Sequence, residues 1–282
     1  MTATSETPAL PSAIPRNQTQ ETPNPKPQDA PANTPKPKLR LHINDLRHPA
    51  TKSFLTLLPD PCSTLETALA AIIQHLYTPH LAQDLKKPPV FTPAVPPTRS
   101  VTLILHDFAG VAYTTGTDLD DDHKEIHFSL SYIRTCASYK DPVGELAGVL
   151  THELVHCYQH TTPPSSPDDV PRPPGGLVEG VADFVRLKAG LEPPHWKRPA
   201  SAKDRPQNWD QGYQHTAFFL TWLEDVRIGR GAVGMLNDRL RTVGYVGEDT
   251  SSMATRIGFW KGLFGAGVSE LWHEYGRYLD GV

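Results

Sequence analysis

Apolar and polar positions alternate along the first part of the chain and then shift to a helical period. LRLHIND alternates from Leu39 as a strand does, and SFLTLLP from Ser53 reads as a second short extended piece. In STLETALAAIIQHLY, Leu65, Leu69, Ile72, Ile73 and Leu76 recur at helical spacing, with Ser63 or Thr64 placed to cap the helix. Beyond the proline-rich KKPPVFTPAVPP, the β-branched run SVTLILHDF, then GVAYTTG and IHFSLSYI, read as strands. The acidic DLDDDHKE forms the turn between the last two. From Asp141 onward the period is helical, through PVGELAGVLTHELVHCYQH, GLVEGVADFVRLKAG, GYQHTAFFLTWLEDVR, AVGMLNDRLRTV and VSELWHEYGRYL. Strands first and helices afterwards predict an α+β domain, with a small sheet on the N-terminal side and a mainly helical C-terminal half.

Composition divides the chain in two. Residues 1–38 hold nine prolines and no aromatic residue, too little apolar surface to offset the entropy of ordering them, so a disordered tail is expected there. Residues 39–282 are long enough for one sizeable core. With 27 basic residues against 31 acidic and no basic run, neither nucleic acid nor a membrane is an expected partner, and a monomer is expected. No apolar run reaches the length of a membrane span. The first 30 residues lack the hydrophobic segment of a secretory signal, so classical export is not predicted. Three cysteines, Cys62, Cys136 and Cys157, are too few for a disulfide framework, and one bridge stays open.

The chemistry concentrates in VLTHELVHCYQH. In a helix, residues four apart lie about 6 Å apart along the axis on nearly the same face, so His152 and His156 form a chelating pair for one zinc ion. Glu153 is turned away from the metal and is placed to reach a water there as general base. His160 lies about 12 Å up the helix from His152 and cannot share the ion. The bland alternative is a chance match on an amphipathic helix. Against it stands GLVEGVADFVRLKAG, with Glu179 and Asp183 on one face: Glu179 would complete a three-ligand site, and Asp183 would accept the free ring N–H of a ligand histidine. The competing reading is a solvated face with Arg186 as partner. Gly180 is expected where this helix packs closely against the first. DLDDDHKE tempts toward calcium, but His123 and Ser129 stand where the EF-hand pattern needs Gly and Glu.

THELVH, PGGLVEGVADFVRLKAG, NWDQGYQHTAFFLTWLE and FWKGLFGAGVSELWHEY resemble the basic secretory proteins, the peptidases of plants and bacteria, from about Ser100 to Tyr278. The resemblance implies a zincin-like fold and a zinc peptidase of the gluzincin type, with His152, His156 and Glu179 as ligands and Glu153 as base. It also implies a secreted protein, although this chain is not basic and shows no export signal. Phe218 and His215 stand where family members carry Arg and an apolar residue.

The expected reaction is peptide-bond hydrolysis by zinc-activated water, with Tyr213 the candidate oxyanion stabiliser and His215 behind it. IHFSLSYI, as an edge strand, would pair with the backbone of a peptide or protein substrate. Two other functions fit the same motifs: a catalytically silent binding or defence-type protein on this fold, and a zinc hydrolase of a non-peptide amide. His42, His48, His75, His80, His195 and His273 show no partner pattern and are expected at the surface or in the core.

Overall fold

Four strands form one sheet: β1 (Lys38–Ile43), β2 (Ser100–His106), β3 (Ala112–Thr117) and β4 (Asp120–Ser129), in the order β1-β2-β4-β3. The computed structural model describes residues 35–79, 91–164, 170–246 and 258–282. Residues 1–34 of the expected tail, and His80, therefore lie outside the described residues, and Lys38 belongs to β1. Strands β1, β2 and β4 run parallel, and β3 returns antiparallel to β4.

Two expectations about this sheet are corrected. Only Asp118 and Leu119 make the turn; the acidic run from Asp120 is already strand, because its alternate residues stay half-exposed and Asp120 pairs with Arg99. IHFSLSYI is not one strand, and β4 lies inside the sheet; the edge strands are β1 and β3. Along β2 and β4, Val101, Leu103, Leu105, Ile126 and Phe128 are buried. The opposite face carries His106, His123, Glu125 and His127, with His106 Nε2 3.0 Å from His127 Nδ1 and Tyr113 stacked on His127.

SFLTLLP lies in helix α1 (Pro49–Leu57), not in a strand. Pro49 opens it, His48 Nδ1 accepts from Ala50 N, and Ala50 and Phe54 are buried one turn apart. At nine residues it is too short for its period to separate helix from strand. Helix α2 (Pro61–Ile72) is capped by Asp60, whose carboxylate accepts from Ser63 N at 3.0 Å, rather than by Ser63 or Thr64; a wide turn at residues 73–77 extends it. Helix α3 (Leu130–Cys136) takes the second half of IHFSLSYI, because the Ser129 hydroxyl accepts from Tyr132 N and starts a helix there.

The rest is helical: α4 (Pro142–His156), α5 (Gly175–Lys188), α6 (Tyr213–Trp222), α7 (Ala232–Thr242), α8 (Phe259–Phe264) and α9 (Val268–Asp280). The described residues thus make a mixed α/β arrangement of a four-stranded sheet and nine helices. None of these helices is long and apolar enough to cross a membrane. All three cysteines are free thiols, with Cys62 exposed and Cys136 and Cys157 buried.

Helices α4 and α5 lie antiparallel, since Glu145 meets Arg186 while His152 meets Glu179. The close approach expected of Gly180 against α4 is instead against α6: a Cβ there would sit 2.3 Å from Thr216 Cγ2. The C-terminus of α4 is tied down. Tyr77 donates its hydroxyl to the Tyr158 carbonyl, and Thr98 donates to the Cys157 carbonyl at 3.2 Å.

Candidate metal centre

His152 and His156 leave α4 one turn apart, and Glu179 comes from the second turn of α5 across the groove. One donor atom from each of the three lies within 4.8 Å of the others. His152 Nε2 is 3.1 Å from His156 Nε2 and 3.1 Å from Glu179 Oε2, and His156 Nε2 is 3.7 Å from Glu179 Oε2. Tetrahedral ligands at zinc distances of 2.0–2.1 Å are about 3.3 Å apart. The donor triangle therefore has the size a zinc ion requires.

The other ring nitrogens are held from behind. Asp183 Oδ1 lies 2.7 Å from His152 Nδ1, and the Gln159 amide lies 2.7 Å from His156 Nδ1. A metal at Nε2 leaves the proton on Nδ1, so Asp183 is correctly placed to accept it. Gln159 serves His156 in the same way once its amide turns the carbonyl oxygen inward.

Charge at this point favours a cation. Burial alone would lower the His152 pKa, but the hydrogen bonds it donates to Asp183 and Glu179 outweigh it and raise the metal-free imidazole to about 9. Glu179 pays for partial burial, yet the two histidines hold it down to about 2. Glu153 is buried beside the ligands, and the Thr114 hydroxyl of β3 lies 2.7 Å from its Oε2 and 2.9 Å from its backbone carbonyl.

Tyr213 stacks on His152 with ring centroids 6.1 Å apart. It is the one non-glycine with positive φ (46°) among the described residues, following Gly212 at 88°. The negative charge of Glu179, then burial, raises its pKa and keeps the phenol protonated. His215 does not line the cleft; it is half-buried two residues on in the first turn of α6, on another face of that helix. His160 is also elsewhere, its Nε2 bonded to the Ala94 carbonyl at 2.8 Å.

The ligand group opens into a cleft of about 1020 Å³. Sequence patterns missed several of its walls. Thr114 comes from a distant strand, Gln159 lies just past the helix end, and His195 and Trp196 sit on a loop. Glu145 and Arg186 form a buried ion pair at 3.1 Å, so Arg186 is not the partner of Glu179 or Asp183. Their positions, seven residues before His152 and seven after Glu179, fall on the stripes that carry the ligands, which was the available signal.

The family model described as peptidase of plants and bacteria matches residues 36–275, and the chain belongs to that family. Searches of curated proteins and of solved structures returned no match. The family's description points to a peptidase, and the His152–His156–Glu179 group can hold a metal ion.

Proposed function

We propose that this protein is a zinc-dependent peptidase of the gluzincin type on a zincin-like fold. The observation that carries the reading is the donor triangle of His152, His156 and Glu179 at tetrahedral spacing, with the Glu153 carboxylate anchored beside it. Two imidazoles and one carboxylate suit zinc, with a fourth position left for water or substrate. When bound, the metal supplies Lewis acidity that polarises a carbonyl and acidifies water.

The chain's own residues supply the rest. Glu153 takes the proton of the attacking water and hands it to the leaving amine, and Thr114 keeps its carboxylate from swinging away. Tyr213, protonated and over the ligand group, donates to the developing oxyanion. His215, which does not line the cleft, has no part in that step. Asp183 and Gln159 orient the two imidazoles.

The substrate is a peptide or protein held along β3, the edge strand that lines the cleft from Val111 to Thr114. Val111 accepts from Ser129 N, so by antiparallel alternation Ala112 and Thr114 present their backbone N–H and C=O to the free edge. The test is a mixed peptide library incubated with zinc-loaded protein and with its Glu153→Gln variant. Cuts made by the wild type and lost in the variant support the peptidase. Bound zinc with no cuts from either would overturn it in favour of a silent binding protein or a hydrolase of another amide.

A further inference from the structure

One end of the cleft holds charged groups that the reaction does not use. Glu145 and Arg186 are each less than one-tenth exposed, yet both line the cleft. Both Glu145 oxygens are engaged: Oε1 accepts from the Tyr132 hydroxyl at 2.8 Å and Oε2 from Arg186 Nη2 at 3.1 Å. Arg186 gives its Nε to the Leu191 carbonyl at 3.0 Å. Its Nη1 has no partner among the described residues and is not among their sealed, unsatisfied polar atoms. Trp196 covers the guanidinium, its ring centroid 5.3 Å away. Gly148 makes the room, since a Cβ there would meet Arg186 Nε at 2.5 Å. A packed arginine with a spare donor open to a cleft is a recognition group, because a substrate that covers the donor strips its water and must replace that bond or bear the cost.

Chain direction says which part of a substrate meets it. The Val111 end of β3 lies by Ser129, where α3 begins and brings in Tyr132. The other end lies by Asp120, near Asp122 and, through the start of β2, Cys157. A peptide added antiparallel to β3, the more stable pairing, runs from the Cys157 end toward the Tyr132 end. The residue just after the cleaved bond then points to Arg186. Glu145 and Arg186 lie about 10 Å along their helices from His152 and Glu179, so only a long side chain reaches them.

We propose that this end of the cleft selects glutamine immediately after the cleaved bond, a specificity that rests on the peptidase reading. The amide oxygen accepts from Arg186 Nη1, and the amide N–H₂ donates to the free lone pair of the Tyr132 hydroxyl. A neutral amide is preferred to glutamate because the Glu145 carboxylate already neutralises the guanidinium. An aliphatic side chain leaves Nη1 unmet.

The test begins with the library digest by the zinc-loaded full chain. Cuts are expected before glutamine over leucine or phenylalanine by on the order of 100-fold, about what one hydrogen bond to a charged group contributes. Cuts before leucine, phenylalanine or glutamate at equal or higher frequency overturn the specificity and leave the peptidase standing. If nothing is cut, the peptidase reading fails by itself. The pocket is then read by Trp196 fluorescence in the zinc-loaded Glu153→Gln variant, titrated with N-acetylglutamine amide and N-acetylleucine amide, with Trp196→Phe to assign the signal. Tighter binding of the glutamine compound supports the pocket, and equal or weaker binding sinks it. The double variant Arg186→Met/Glu145→Met, which removes the pair without stranding a charge, is expected to keep zinc and lose the glutamine preference. Gly148→Ala is the milder second variant and is expected to reduce it.

Discussion

Gly175 and Gly176 open α5 side by side, and replacing each with alanine is expected to move stability in opposite directions. By helix propensity alone, either change gains up to about 1 kcal/mol. At Gly175 nothing lies within 4 Å of the added Cβ, so that gain stands. At Gly176 the Cβ would sit 1.8 Å from the Asp210 carbonyl oxygen and 2.6 Å from its carbon. Both are backbone atoms, and the turn they belong to runs into Gly212 and Tyr213 at positive φ, so it has little freedom to retreat. Overpacking costs about 1–3 kcal/mol, and a backbone clash this short belongs at the upper end. Net of the propensity gain, Gly176→Ala is expected to lose about 2 kcal/mol. The two variants then differ by about 3 kcal/mol, or roughly 6–12 °C in Tm at about 2–4 °C per kcal/mol for a domain of this size. Thermal unfolding followed by circular dichroism, with chelator present, reads the difference. A Gly176→Ala protein as stable as Gly175→Ala would refute the claim that α5 is seated by backbone contact with this turn.

Four further outcomes follow from the centre. Asp183→Asn is expected to weaken metal binding 10- to 100-fold, the usual cost of losing the partner behind a ligand histidine; a competition titration with a chromophoric chelator measures it, and unchanged affinity would remove Asp183 from its orienting role. Metal must displace the His152 proton below about pH 9, so affinity is expected to rise with pH between 6 and 9, by about tenfold per unit for one proton. In the metal-free protein the sign reverses: the raised His152 pKa adds stability that is full below its ordinary value of 6.5 and lost as pH passes about 9, so its Tm is expected to fall from pH 7 to pH 9.5. Thr114→Val is expected to lower kcat with little change in metal content, since it frees the Glu153 carboxylate without touching a ligand; an equal loss of bound metal would contradict this.

The candidate metal group was legible because both pairs, His152 with His156 and Glu179 with Asp183, are i and i+4 on helices, where spacing in sequence is spacing in space. What escaped lay across elements. Thr114 reaches Glu153 from a strand 39 residues earlier, and no local period announces such a contact. Helix α1 reads as a strand in the sequence because nine residues with Phe54 as their one large buried side chain carry too little pattern. The acidic stretch from Asp120 reads as a turn because charge argues against strand, whereas its partner Arg99 and a half-open face accommodate it. Gly180 was rightly marked as a close approach, but the neighbour, Thr216 of α6, depends on packing order that a single sequence does not display.

His156 is the last residue of α4, a position where helices usually fray. The Tyr77 and Thr98 hydroxyls hold the carbonyls just beyond it, so the ligand keeps its backbone whether or not a metal is present. Architecture and reactivity are thereby uncoupled. Zinc-finger domains lose their fold with their ion. On the proposed zinc-peptidase reading, chelation would silence the centre while leaving the fold standing, and returning the ion would restart it at the pace of diffusion, with no refolding step between.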